Sequence, residues 1–355
     1  MAVAFVEENA SFLIEGRVSG IDMYIRELIE KTRRDIPSCG DLHLVRFFSS
    51  FVTVSAGKVI GVTKPYLRYC PLAGHLYTDL RRAGERNPDA VRELIKKAVE
   101  SKIQKFGFFT PKRVFHGNSI AIPYGASEMM MFAMRKGIID SAVIVCDGAG
   151  TVIVDRSEMV QAIGARMNGL FFTSRIDEVA DRLLSEDCRI VFPDASIDQL
   201  QGVERAAELG YRKIAVTVNA LMDEDLEKIK KIEKKHGAAV TVLSICTTGA
   251  SPKEVDWIGE HSDIVWSCAS ERVRSVIGKK ATLQISRKIP VYVLTRKGLD
   301  LIAGYCGRPD AIRQLDITKQ YLIAAKNSGD QVQMGDSRAY LSGADLPVRD
   351  RKEPA

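Results

Sequence analysis

Apolar residues recur at helical spacing at Ile21, Tyr24, Ile25, Leu28 and Ile29 in GIDMYIRELIEKTRRDI (20–36), which predicts a helix ending near Pro37. In FVTVSAGKVIGV (51–62) the pattern alternates on both sides of Ser55-Ala56-Gly57-Lys58, the mark of a β-hairpin. PDAVRELIKKAVESKIQKFG (88–107) returns to helical spacing, with Val91, Leu94, Ile95, Ala98, Val99, Ile103 and Phe106 on one stripe. From about residue 125 amphipathic segments and short apolar runs alternate. ASEMMMFAMRKGIID precedes SAVIVCD, DQLQGVERAAELGYRK precedes IAVTVN, DEDLEKIKKIEKKHGA precedes AVTVLSIC, and SPKEVDWIGEHS precedes DIVWSC. ATLQIS and VYVLT close the series. Val/Ile-rich strands separated by helices predict an α/β, doubly wound, mostly parallel sheet.

The expected organisation is an N-terminal helical arm (1–40), a small β-rich cap of hairpin plus helix (41–110), the α/β domain (111–305) and a C-terminal extension (306–355). The stretch SGDQVQMGDSRAYLSGADLPVRDRKEPA shows no apolar periodicity on this reading and is expected to be a mobile tail or interaction arm.

Composition narrows the function classes. The 355 residues are 46% apolar and 27% charged, as in a globular protein with a sizeable core. Fifty-one basic against 45 acidic residues leave a net charge of +6, too mild an excess to point to nucleic acid. The basic run Lys228–Lys235 is interleaved with apolar and acidic residues and reads as the solvated face of a helix. No apolar stretch reaches the ~18 residues that span a membrane. MAVAFVEENASFLIEG carries acids where a signal peptide needs a basic segment, so a cytoplasmic protein is expected. Seven cysteines, an odd number, argue against a disulfide framework.

Three of those cysteines end apolar strands and are followed by small residues. AVIVC runs into Asp147-Gly148-Ala149, LSIC into Thr247-Thr248-Gly249, and IVWSC into Ala269-Ser270. Ligands of open parallel sheets bind outside the carboxyl ends of the strands, so Cys146, Cys246 and Cys268 are candidates for one shared site, with Cys70, held extended by Pro71, as a fourth. A 4Fe-4S cluster normally takes four thiolates, and three would leave one iron open as a Lewis acid. No CxxC pair supports the set, and a buried cysteine also packs as a small hydrophobe. Asp147 is either an acid/base group or a turn residue bonded to the Gly148-Ala149-Gly150 backbone.

Gly148 and Gly150 offer a nest for an anion but lack the third glycine of a dinucleotide fingerprint. Thr247 and Thr248 precede a helix expected to be capped by Ser251 with Pro252 and Glu254, and could also hold an anion. Arg166 is either a clamp for an anionic substrate or a solvated side chain. The methionines 129, 130, 131 and 134 read as core, and Cys39, Cys188 and Cys306 as thiols in polar or loop-like contexts.

YCPL, YGASE, VIVCDGAGTVI, VQAIGARMNGL, TSRIDEV, DASIDQLQGVERAAELGYRKIAVTV, ICTTG and SCAS, in this order over roughly residues 45–300, resemble the methanogenesis marker protein 8 family of anaerobic archaea. The resemblance implies an anoxic cytoplasm, a link to methanogenesis, and partners among the proteins that mature methyl-coenzyme M reductase or its cofactors. It supplies no mechanism. It also implies a cysteine in the stretch matching GFFTP, where this chain has Phe109. The combined expectation is an iron–sulfur protein. The alternatives are a non-catalytic scaffold or a metal-free α/β enzyme with an anionic ligand around Thr247, Thr248 and Arg166. A homo-oligomer remains open.

Overall fold

The computed structural model describes residues 21–47, 50–65, 88–115, 117, 119–167, 169–222 and 225–349. Two compact units divide the chain, and neither is continuous in sequence. The first takes Met1–Phe115, Val145–Val152 and Met167–Asp198, and the second takes the rest.

In the first unit β1 (His43–Phe47), β2 (Ser50–Ser55) and β3 (Lys58–Val62) form an antiparallel meander. The expected hairpin is present, with Ala56 and Gly57 at positive φ in its turn. β4 (Ser141–Cys146) enters this unit at Val145, and β5 (Gly150–Val154) leaves it after Val152. β6 (Gly169–Thr173) then returns to pair antiparallel with β1, giving the order β3-β2-β1-β6. β7 (Arg189–Ile190) follows the helix Asp177–Ser185. The expected helices appear as Ile21–Asp35 and Pro88–Phe106. Ile95, Val99 and Ile103, four residues apart on one face, pack with Val45, Phe47, Val52, Val54 and Leu170 into the core.

In the second unit β8 (Lys213–Asn219), β9 (Ala239–Ile245) and β10 (Ile264–Trp266) lie parallel, and the start of β4 runs parallel beside β8. The remaining strands mix directions. β12 (Val291–Val293) is antiparallel to both β10 and β11 (Leu283–Ile285), and β11 is parallel to β13 (Tyr321–Ala324). The helices between strands fall where periodicity placed them: Ala126–Arg135, Gln199–Glu208, Glu227–His236 and Pro252–His261. In the lysine-rich helix only Ile229 and Ile232 are buried, as expected of a solvated face.

The tail differs from expectation. β14 (Asp330–Met334) and β15 (Ser337–Gly343) form an antiparallel pair, and β15 joins β13 in the sheet. The reason is a period of two hidden among polar letters. Val332 and Ala339, opposite each other, are buried, as are Met334 and Leu341, each two residues further along its own strand. Residues 330–343 are therefore part of the folded sheet and not a mobile arm.

Candidate functional site

The turn from β4 to β5 explains the first strand-end thiol. Ala149 N–H donates to the Cys146 carbonyl at 3.2 Å, and Gly148 N–H to Thr173 Oγ1 at 2.8 Å. Gly148 and Gly150 both hold positive φ, +79° and +67°. Their missing side chains admit Ile176 and the Ala195 carbonyl respectively. The expected anion nest is thus filled by the protein's own atoms. Asp147 is wholly buried. Its Oδ1 takes Arg113 Nε at 3.0 Å and its Oδ2 takes Phe109 N–H at 2.7 Å. Arg113, only 2% exposed, lies over the Phe108 ring at 3.8 Å and donates to the Val114 carbonyl. The carboxylate therefore clamps the 107–113 loop to the turn. Arg113 and Phe109 escaped the sequence reading because both partners lie more than thirty residues from Asp147.

Cys146 is sealed beneath this clamp. Its thiol donates to the Asp147 carbonyl at 3.4 Å. Burial, and then the Asp147 carboxylate, push the thiol well above the usual cysteine range, against the opposing pull of Arg113.

A second network, partly buried, adjoins the turn. His43 Nδ1 lies 2.7 Å from Thr173 Oγ1, and Nε2 lies 3.3 Å from Asp41 Oδ2. Asp41 also accepts from Ser55 Oγ and Ala56 N–H. A ring protonated on Nε2 satisfies all of these, with the Thr173 hydroxyl donating to Nδ1. The His43 contact holds the Asp41 carboxyl down to about 2 from its ordinary 3.8. A depressed carboxylate adds stability that is complete above the unfolded value and is lost as pH falls through the folded one. Stability attributable to Asp41 should therefore vanish between about pH 3.8 and pH 2. Asp41→Asn should flatten that limb of the urea-unfolding profile, and superimposable wild-type and variant profiles would refute the assignment.

In the second unit the other two strand-end thiols do share an edge. β9 and β10 are parallel neighbours, with Leu243 beside Ile264 and Ser244 beside Val265. The loops that follow are bonded to each other. Thr247 Oγ1 donates to the Trp266 carbonyl at 2.7 Å, and Ala269 N–H donates to Thr248 Oγ1 at 3.1 Å. Cys246 and Cys268 are half-buried and both adopt left-handed φ, +60° and +47°, a conformation that costs a side-chain-bearing residue about 1–2 kcal/mol. Arg274, itself buried, donates to the Cys268 and Lys288 carbonyls. The helix Pro252–His261 has the expected capping box between Ser251 and Glu254, and Ser270 caps Glu271–Lys280 by accepting from Val273 N–H. The capping bonds engage first-turn N–H groups, and the threonine hydroxyls hold loops.

Above this edge a buried carboxylate positions an aromatic loop. Glu128 accepts from Ala121 N–H, Ile122 N–H, Gln161 Nε2 and Ser127 Oγ at 2.9–3.1 Å. Glu128 lies in the first turn of the helix Ala126–Arg135. The loop it fixes presents the Tyr124 carbonyl to Trp266 Nε1 at 2.9 Å. Burial raises the Tyr124 phenol and pushes Tyr305 up to about 12, so both remain protonated at neutral pH. Arg166 is half-buried at φ +63°, just beyond the helix Ser157–Gly164.

Among the described residues no three His, Cys, Asp or Glu side chains are gathered to hold a metal ion. The loops that carry Cys246 and Cys268 are brought together. Cys146 sits in the clamp of the first unit, and Cys70 lies outside the described residues. Cys188 and Cys306, read as loop-like, are buried. Among the described residues no helix is long and apolar enough to cross a membrane.

Residues 43–305 match the family described as "uncharacterized protein conserved in archaea (DUF2099)". The chain belongs to this family. It is 35% identical over 252 residues to an uncharacterized protein of Methanocaldococcus jannaschii, covering 71% of this chain and 85% of that one. No solved structure matches the chain. The family match begins at His43, in the Asp41–His43–Thr173 network, and ends at Tyr305 beside the Tyr124 loop. It therefore spans the Asp147 clamp and the two-thiol edge alike.

Proposed function

We propose that this archaeal protein binds an iron–sulfur cluster at the carboxyl edge of β9 and β10, with Cys246 and Cys268 as thiolate ligands. The observation that supports the reading is the pairing itself. Two half-exposed thiols stand on neighbouring, cross-bonded loops, each on left-handed backbone that glycine would adopt more readily. Strained backbone kept beneath a reactive side chain is a mark of functional sites. Cys146 is left out of the ligand set because its thiol is buried and raised in pKa, whereas a ligand must give up its proton. The proposed place of the cluster is the archaeal methanogenesis machinery, alongside proteins that mature methyl-coenzyme M reductase. The support for that place is the order of sequence motifs from YCPL to SCAS.

Iron and acid-labile sulfide in anaerobically purified protein test the reading. Cys246→Ser and Cys268→Ser should each lose most of the iron while remaining folded. Cys146→Ala should keep its iron and lose ~1–3 kcal/mol of stability. Without metal, alkylation should modify Cys246 and Cys268 in the folded protein and spare Cys146. Full iron occupancy in the Cys246→Ser/Cys268→Ser double variant would sink the proposal.

A further inference from the structure

We infer that Asp263 is a proton-operated clasp, which closes the first turn of the helix Arg296–Tyr305 onto β9 while it holds a proton and releases that turn when the proton leaves. The clasp needs no bound cluster. Charge around Asp263 is unbalanced. Asp263 is 4% exposed, Glu233 acts on it from the helix Glu227–His236, and Lys297 stands beside both carboxylates. Two carboxylates therefore share one ammonium. Lys297 Nζ lies 3.1 Å from Glu233 Oε1 and donates to the Val240 carbonyl at 2.5 Å. It is 3.7 Å from Asp263 Oδ2, beyond hydrogen-bond reach. Arg296, the other cation of that turn, donates to the Arg313 and Leu315 carbonyls instead. β9 meets Asp263 through its backbone. Val242 N–H donates to Oδ2 at 2.8 Å, and Asp263 N–H donates to the Val242 carbonyl at 2.9 Å. Burial above all, with a smaller push from Glu233, holds the Asp263 carboxyl above its ordinary 3.8, and Lys297, Thr295 and Val242 N–H offset this only in part.

The moving part is the start of the helix. Asp263 Oδ1 is hydrogen-bonded to Thr295 Oγ1, and Thr295 caps the helix by accepting from Gly298 N–H at 3.2 Å. Gly298 lets that turn press on Asp263, because a Cβ there would stand 2.6 Å from the Asp263 carbonyl oxygen. In the protonated state the Asp263 hydroxyl donates to Thr295 Oγ1 and Oδ2 keeps Val242 N–H. Lys297 stays with Glu233 and the Val240 carbonyl, and the half-buried Thr295 turns its own proton to water. Loss of the Asp263 proton sets a second negative charge beside Glu233 in a site nearly closed to water. The turn then swings away and admits water to the carboxylate. A carboxyl raised in the folded state adds stability that is complete below the unfolded value, 3.8, and is lost as pH rises to the folded one. The sign is opposite to that of Asp41, whose contribution is lost as pH falls.

The test is amide hydrogen exchange of the full chain from about pH 4 to about pH 8, corrected for the intrinsic pH dependence of exchange. The reporters are Leu294 N–H, bonded to the Asp263 carbonyl, and Gly298 and Leu299 N–H, both bonded to Thr295. Their opening should rise up to about tenfold per pH unit above 3.8 and level off once the closed form has ionised as well. Asp263→Asn is a neutral mimic that gives Nδ2 to Thr295 and still accepts Val242 N–H, so its reporters should stay protected throughout. Lys297→Met removes the one cation and should carry the plateau to higher pH. Glu233→Gln removes the competing carboxylate, keeps an acceptor for Val240 N–H, and should bring the plateau to lower pH. An Asp263 that served packing alone would leave the plateau in place in both. Flat exchange in the wild type would overturn the clasp, as would an Asp263→Asn profile that follows the wild type. Should Asp263→Asn not fold, the opposed shifts of Lys297→Met and Glu233→Gln decide alone, and shifts in one direction or none would overturn the proposal.

Discussion

Replacing Asp147 by alanine should remove about 3–5 kcal/mol of stability, because it leaves a buried guanidinium without its counter-charge. Arg113 reaches Asp147 at 3.0 Å, and neither side chain has meaningful contact with water. The same substitution strips Phe109 N–H of its acceptor. The reverse change, Arg113→Met, strands a buried carboxylate and should be comparably severe. The pair as a whole has a different expected outcome. Charges this deep forfeit so much hydration that a well-packed apolar pair of similar volume is often neutral or better. Asp147→Leu combined with Arg113→Met should therefore recover much of the loss, giving a strongly non-additive cycle by urea unfolding at neutral pH. A single Asp147→Ala effect below about 1 kcal/mol would show that the clamp contributes little.

Gly150→Ala should be nearly as damaging for a purely steric reason. A Cβ there would stand 2.2 Å from the Ala195 carbonyl oxygen and 2.4 Å from that of Ser196. Both obstacles are backbone and cannot rotate away. The left-handed φ of +67° adds its own penalty. The two together should reach about 3 kcal/mol or more. Gly137 supplies the control, with φ +65° and nothing within 4 Å of where a Cβ would stand. Gly137→Ala should therefore lose only the conformational part, ~1 kcal/mol. Equal midpoint shifts for the two variants in thermal unfolding would rule out the steric argument.

The regular elements were legible because their signals are local. The helix Pro88–Phe106 and the hairpin around Ala56-Gly57 each declare themselves within about twenty residues. The three strand-end thiols, by contrast, look alike in sequence and differ in burial. Cys146 is covered because Asp147, one residue on, binds a loop 34 residues earlier in the chain. Cys246 and Cys268 are followed by threonines and an alanine that stitch the two loops together and by a serine that caps the next helix. A pairing of that kind leaves no periodic trace. Cys188 and Cys306 stand outside the regular elements, as their neighbours suggest, and are nonetheless buried: polar neighbours describe the adjacent side chains, while burial depends on the direction of the one in question. The strands of residues 330–343 were concealed by glutamine, arginine and serine on their outward positions.

The partnership of β1 with β6 carries a consequence in time. During synthesis His43–Phe47 leaves the ribosome well over a hundred residues before Gly169–Thr173, its neighbour in the four-stranded sheet. Until then one edge of a wholly buried strand has nothing to bond to. The first unit must wait for chain that is still being translated, while the second already owns part of the intervening sequence. At roughly 5–20 residues per second that interval lasts many seconds. Over that span the nascent meander is a sticky intermediate, and its survival becomes a matter of translation speed and chaperone cover.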